Sequence, residues 1–352
     1  MLYSHCTRIA REHPRSPIVI VATLLTFLLL VQMTLAHAKA PMVGTQGPGF
    51  YRIMVGRYEV TALLDGTHPF PVDSVMTDVP RPEVERDLAL DHLKPPVQGS
   101  INAFLINTRE QLVLIDTGAG VLYGDCCGRL ASNLRAAGYQ PEQVDQVLLT
   151  HLHKDHVGGI VLDGKMAFPN AVVHVSKRDD DYWTNLDNKD KAPAFLTSFF
   201  DSAAQSLAPY AAAGRVKTFD NDGEIASGIR AIAAPGHTPG HTSYVVESDG
   251  QTLLVWGDTI HVAAIQLRDP KASVEYDSDA TEARKSRRSL LKTAADNHYL
   301  VAAAHISFPG LGHLSTDGRG YRWIPVNYDA APAKNGKPAT PTTNQANKAN
   351  ER

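Results

Sequence analysis

Cysteine is nearly absent: the 352 residues hold three. Cys6 lies in an N-terminal leader, and Cys126 and Cys127 are adjacent, so they could bridge each other only through a strained ring. The chain therefore has no useful disulfide staple, and the pair reads as two small apolar side chains in a loop or helix start, with an intermolecular disulfide as the alternative. An excess of basic charge is missing too: 34 Lys and Arg against 37 Asp and Glu give a formal net charge of −3. That excludes nucleic acid as a partner, since no basic face is available to neutralise phosphates. The single basic cluster, "ARKSRR" from Ala283 to Arg288, falls in a helical pattern and reads as a solvated face. Long apolar runs are lacking as well. The one candidate, Ile18 to Val31, falls short of the roughly 20 residues that span a bilayer. It follows Arg8, Arg11 and Arg15 and precedes "LAHA", where Ala36 and Ala38 fit a small-residue cleavage rule. Residues 1–38 are expected to be an export signal cut after Ala38, with no stable membrane span left and the protein periplasmic or secreted. An uncleaved anchor is the alternative. No twin-arginine pair precedes the run, so export of the unfolded chain is expected, with metal acquired outside the cytoplasm.

What the sequence does have is a large apolar fraction, 43%, in alternating strand and helix signals. "YRIMVGRYEVTALLDG" and "NAFLINTREQLVLIDTG" read as hairpins of alternating β-branched residues. "GRLASNLRAAGY" reads as a helix with Leu130, Leu134 and Ala137 on one face and Gly138 as its stop. The strand "VDQVLLT" follows, and the second half repeats the style with "NAVVHVS", "GIRAIAAPGH", the hairpin "SYVVESDGQTLLVWGD" and "YLVAAAH". "DATEARKSRRSLLKTAADNH" is a long helical pattern opened by capping residues. An α/β domain in two similar halves is expected over residues 39–328, with a polar, disordered tail over 329–352.

Ionisable residues stand where these strands end. "LLT" leads into His151, His153, Asp155 and His156; "IAAPG" into His237; "LLVWG" into Asp258; "LVAAA" into His305; and "LVLI" into Asp116. Burying an unpaired charge is unfavourable, so several such endings imply one shared cleft where the groups serve each other or a ligand. Imidazole nitrogen and carboxylate oxygen are the donors that zinc-like divalent ions take. In an extended loop, residues i and i+2 point the same way, so His151 and His153 can clamp one ion while Asp155 and His156 face a second direction. Seven donors exceed one open tetrahedral site and suit two ions about 3.5–4 Å apart with one carboxylate bridging.

The stretch "THLHKDH" resembles the HxHxDH signature of the metallo-β-lactamase superfamily, and "APGHTPGHT", "LLVWGDTI" and "VAAAHISFPGLGH" follow in that superfamily's order. The resemblance implies a four-layer αβ/βα sandwich with metals at one edge of the sheets. "GYQPEQVDQVLLTHLHKDHVGG", "HTPGHTSYVVES" and "GYRWIPVNY" are further similar to the group of exported enzymes typified by methyl parathion hydrolase, from about Gly49 to Tyr328. Carried over, His151, His153 and His237 would hold a first metal and Asp155, His156 and His305 a second, with Asp258 bridging. Asp116 matches an acid that hydrogen-bonds a ligand histidine and fixes its tautomer. The same resemblance implies a homodimer. Two ions would lower the pKa of a shared water, making a bridging hydroxide available without a separate base, and Asp155 is the carboxylate expected to pass a proton afterwards. Zinc suits the ligand set, with manganese, cobalt and iron as alternatives.

Tyr123, Trp183, Phe199 and Phe200 are candidates for an apolar pocket wall, and His261, three residues past Asp258, would add polarity there. His241 and His313 are expected to support or pack, His174 to sit in a strand without chemistry, and His68, His92 and His298 to lie at the surface. The implied substrate is a small neutral hydrophobic ester: an organophosphate triester first, a lactone or aryl ester as the alternative. A β-lactamase fits less well, because the classical groups usually carry cysteine or another residue where Asp258 stands and lack the Asp155–His156 pair. A non-enzymatic module of this fold would usually have lost donors that are all present here.

Overall fold

A computed structural model describes residues 40–330 except 221, together with residues 18, 21, 22 and 25–27. Those few N-terminal residues are helical and belong to a unit of their own, Met1–Gly47. The remainder of the expected export signal, and the tail beyond 330, lie outside the described residues. Among the described residues no helix is long and apolar enough to cross a membrane.

The unit beginning at Pro48 is built on two seven-stranded sheets. The first runs in chain order: β1 Phe50–Val55, β2 Tyr58–Phe70, β3 Val97–Asn107, β4 Leu112–Ile115, β5 Gln146–Leu148, β6 Val172–Ser176 and β7 Val216–Phe219. The second does the same: β8 Gly223–Ala226, β9 Ile229–Ala233, β10 Thr242–Ser248, β11 Gln251–Val255, β12 Leu300–Ala302, β13 Leu311–Asp317 and β14 Gly320–Pro325. The expected hairpins are antiparallel pairs, β1 with β2, β3 with β4, and β10 with β11. Strands β4 to β7 run parallel, as do β11 and β12.

The period of two in each strand sorts its side chains between two cores. In β4, Val113 and Ile115 join Phe104, Ile106, Tyr244, Val246, Leu253 and Val255 between the sheets. Leu112 and Leu114 point the other way, to a core shared with helix α1 (Leu130–Ala136) and helix α2 (Thr197–Ala212). Leu254 and Val301 likewise leave the central layer to meet Leu290 and Leu291 of helix α3 (Ala280–Asp296). Helix, sheet, sheet, helix is the expected four-layer sandwich. Asp279 caps α3, its carboxylate accepting from Thr281 N–H and Glu282 N–H.

The basic stretch of α3 is not uniformly solvated. Lys285 and Arg288 are exposed, but Arg287 is 2% exposed, on the face that also buries Ala283, Leu290 and Leu291. Helical spacing puts it in the core. Its guanidinium donates to Thr259 O at 2.8 Å, Ala272 O at 2.6 Å and Pro270 O at 3.3 Å, which ties the loop after β11 to the chain entering α3.

Candidate metal centre

The ends of β4, β5, β9, β11 and β12 open at one edge of the two sheets, and the residues that follow them meet there. Asp116 leaves β4 with φ +58°, a left-handed conformation that Asp tolerates better than most residues. Gly257, φ +56°, follows β11, and a Cβ on it would lie 2.6 Å from His241 Nε2 and 2.9 Å from Thr150 Cβ. Only glycine lets the chain press Asp258 so close to the loop from β5.

Two donor groups result. His151, His153, His237 and Asp258 form one, and Asp155, His156 and His305 the other, the donor atoms within each lying within 4.8 Å of one another. Asp258 faces both. Its Oδ1 is 3.0 Å from His156 Nε2 and 3.1 Å from His305 Nε2, while its Oδ2 is 3.3 Å from His237 Nε2 and 3.6 Å from His151 Nε2. Asp155 Oδ2 stands 3.5 Å from His305 Nε2.

The outward nitrogens of four rings are held by the protein. His156 Nδ1–H donates to Asp116 Oδ2 at 2.8 Å and His237 Nδ1–H to Asp277 Oδ1 at 2.9 Å. His305 Nδ1–H donates to Ser100 O at 2.9 Å, and His151 Nδ1 is 3.0 Å from Thr150 Oγ1. The inward nitrogens of two of them are left for something else. His151 Nε2, His156 Nε2 and Asp258 Oδ1 are buried with no hydrogen-bond partner, a state that polar atoms avoid unless a ligand completes them. His153 Nδ1 and His237 Nε2 approach to 3.0 Å. Burial holds His151 and His153 well below the usual imidazole range, so both present lone pairs at neutral pH. Oriented imidazoles sharing a carboxylate are a donor set for two divalent ions.

Behind the donors lie groups the sequence did not single out. Asp179, fully buried, accepts from Leu152 N–H at 3.1 Å, Gly240 N–H at 2.6 Å and Thr238 Oγ1–H at 2.9 Å, tying the loops of His151 and His237 together. Burial outweighs those bonds and lifts its carboxyl to about 6. Asp277 joins His237 to Arg287, whose Nη2 is 3.7 Å away. Asp179 follows β6 inside the charged run "KRDDD" and Asp277 follows no strand of the two sheets, and neither falls in a motif. His241 supports rather than ligates: its Nδ1–H donates to Ala234 O at 3.1 Å, and its Nε2 accepts from Asp258 N–H at 2.9 Å. Burial, foremost, brings it down to about 3, which keeps that ring neutral.

A cavity of about 220 Å³ opens over the donors. Tyr123, Phe199 and His261 line it, with Phe70, Ile101 and Tyr276, above a floor of His153, Asp155, Asp258 and His305. Trp183 and Phe200 do not. They are 1% and 2% exposed and pack in the core beneath, Trp183 edge-on to His153 at 5.0 Å. His68, expected at the surface, lines the cavity with its ring 4.9 Å from that of Tyr123. His92, His298 and His313 are exposed, and His174 is a partly buried residue of β6. His261 is buried, its Nε2 3.1 Å from Asp258 Oδ2, and burial lowers it to about 4 despite that carboxylate. Tyr123 places its hydroxyl 3.3 Å from Asp155 Oδ1, and burial followed by Asp155 raises the phenol well above its usual range, so it remains a donor.

Two paired sheets with imidazole and carboxylate donors gathered at one edge define a metallo-hydrolase. Residues 96–305 match the metallo-beta-lactamase superfamily model, and the chain belongs to that superfamily. A crystal structure of AbOPH, a hydrolase in the beta lactamase superfamily, is 39% identical, with 81% of this chain and all of that one covered at a TM-score of 0.77. AidC, a dizinc quorum-quenching lactonase solved with the product N-hexanoyl-L-homoserine, is 29% identical, covering 80% of this chain and 98% of its own at a TM-score of 0.75. An atrochrysone carboxyl ACP thioesterase of Passalora fulva is 30% identical over 180 residues, 51% of this chain and 43% of the thioesterase. The chain thus spans under half the length of that curated relative.

Proposed function

We propose that the protein is a dizinc hydrolase of neutral, hydrophobic esters, with lactones and aryl esters as its first substrates. The observation that carries this is the cavity: aromatic and aliphatic walls over the donor groups, and no lysine or arginine among its lining residues. Among the described residues that line it, an anionic substrate would find no cation beyond the metals, the neighbouring Lys154 being drawn to Ser198 Oγ at 2.7 Å, which disfavours a carboxylate-bearing β-lactam and a phosphodiester alike. The lactone and thioester substrates named for AidC and the Passalora thioesterase are neutral at the reacting carbonyl, and AidC supports zinc as the metal.

His151, His153 and His237 would hold one ion, Asp155, His156 and His305 the other, with Asp258 between them. When bound, two such ions acidify a water and draw off charge developing on the substrate oxygen. Asp116, Asp277 and the Ser100 carbonyl fix the tautomers of three of those histidines. The uncharged His261 donates to Asp258 Oδ2, holding that carboxylate between the two groups. Tyr123, whose O–H is given to Asp155 Oδ1 at 3.3 Å, would turn that donor to the ester oxygen that leaves. Asp155 is the group placed to pass that oxygen a proton. The walls exclude competing water.

A methyl phosphotriester is the second reading, because the same uncharged cavity admits it and the motif text resembles the methyl parathion hydrolase group. A paired assay on purified, metal-counted protein separates them. Turnover of lactones and aryl esters above that of a nitrophenyl phosphotriester, with about two metals per chain, supports the proposal. Dominant triester turnover reverses the order of the two readings, and two bound metals with neither activity removes both.

A further inference from the structure

The loop between Ala119 and Leu130 holds two thiols that the hydrolysis does not use. Cys126 Sγ and Cys127 Sγ are 2.9 Å apart, and both residues are half-buried. Cys126 Sγ also lies 3.3 Å from the Tyr123 backbone carbonyl and 4.0 Å from His68 Nδ1, so it touches the main chain that carries Tyr123 and the ring beside it on one cavity wall. The loop has little freedom to absorb a change. Asp65 accepts from Ala119 N–H at 2.9 Å, Gly128 N–H at 3.1 Å and Leu130 N–H at 3.0 Å, pinning both ends. Between those pins the Cys126 carbonyl lies against β2, where a Cβ on Gly66 would come within 2.1 Å of it.

Adjacent residues have Cα atoms about 3.8 Å apart, below the 4.4–6.8 Å of ordinary disulfides, so direct oxidation strains the ring. One atom inserted between the sulfurs relieves that strain. Tetrahedral zinc, with Zn–S near 2.3 Å, would spread them to about 3.8 Å. A pyramidal trivalent arsenic, with near-right-angle bonds to sulfur, keeps them closer and asks less movement of the pinned loop. We propose that Cys126 and Cys127 form a capture site for trivalent organoarsenicals, and that capture deforms the cavity wall carrying Tyr123 and His68. In each of two steps an S–H and an As–OH bond break, an As–S bond forms and water leaves, with no change in oxidation state. Burial and the neighbouring sulfur push the Cys127 thiol up, so it reaches this condensation as a thiol.

The effect on turnover rests on the ester-hydrolase reading, whereas capture is read by mass and needs no substrate. The full chain in a Cys6→Ser background, loaded with its metals, is treated with phenylarsine oxide. The expected result is one phenylarsenic per chain, retained against excess monothiol and released by dithiothreitol. Cys126→Ser and Cys127→Ser, each retaining basal turnover, should hold none under the same competition. Ester hydrolysis should be lost on capture and return with dithiol while the metal count stays constant. No adduct on the parent chain, or an adduct surviving in either serine variant, overturns the site. Capture with hydrolysis unchanged overturns its coupling to the cavity.

Discussion

At the scale of the residue, the centre is a set of imidazoles whose directions are chosen by their outer partners. Asp277 illustrates the dependence, since its carboxylate stands between His237 Nδ1 and the buried Arg287. In Asp277→Asn an amide oxygen can still accept from His237, but its NH2 then faces the guanidinium and the ring becomes a weaker donor. Loss of such an outer partner typically costs about 10–100-fold in metal affinity. Competition with a chromophoric chelator should show a loss of that order for one of the two ions, with the other unchanged. Unchanged affinity for both ions would mean that Asp277 does not orient the first group. The donors themselves were legible because each follows a strand, where an apolar alternation stops at an ionisable residue. Asp277 and Asp179 were not: Asp179 stands three residues past β6, as His151 does past β5, but inside the charged run "KRDDD", and the importance of both acids comes from partners distant in sequence, Leu152 and Gly240 for Asp179.

At the scale of the element, hairpins announce themselves through local alternation and turn residues, and all three expected ones are present. What a helix face meets is harder to read. Phe199 and Phe200 are neighbours in α2, about 100° apart around its axis, so one can face the cavity while the other enters the core. Arg287 is the same problem with a charge. Composition made "ARKSRR" a solvated stripe, yet helical spacing aligns Arg287 with Leu290 and Leu291. In Arg287→Met the carbonyls of Thr259, Pro270 and Ala272 lose their donor and Asp277 loses its buried cation. Breaking a buried pair in this way costs about 3–5 kcal/mol. Urea unfolding of the variant should show that loss, far above the roughly 0.5 kcal/mol ceiling for a surface substitution. Arg288→Met, on the exposed side of the same helix, is the control. If both variants unfold alike, Arg287 does not tie α3 to the site.

At the scale of the whole molecule, the donors come from both sheets. His151, His153, Asp155 and His156 follow β5 of the first, whereas His237, Asp258 and His305 follow β9, β11 and β12 of the second. Each donor group draws on both, so two bound ions would fasten the halves of the sandwich together. The sheets already share a continuous apolar core, so the metals add to a fold that stands without them. An ion that binds only the folded chain stabilises it by about 4 kcal/mol at a thousandfold excess over its Kd. At roughly 2–4 °C per kcal/mol for a domain of this general size, removing both ions, each at such an excess, should lower Tm by about 16–32 °C. Thermal unfolding with and without a chelator, followed by circular dichroism, tests this. Below the transition the two spectra should coincide, because the strands and helices do not need the ions. Zinc added back should restore Tm together with activity. If chelation strips the metal and leaves Tm unmoved, the donors bind without fastening the sheets. If it abolishes the spectrum instead, the ions are required for folding and the shared core is weaker than its burial implies.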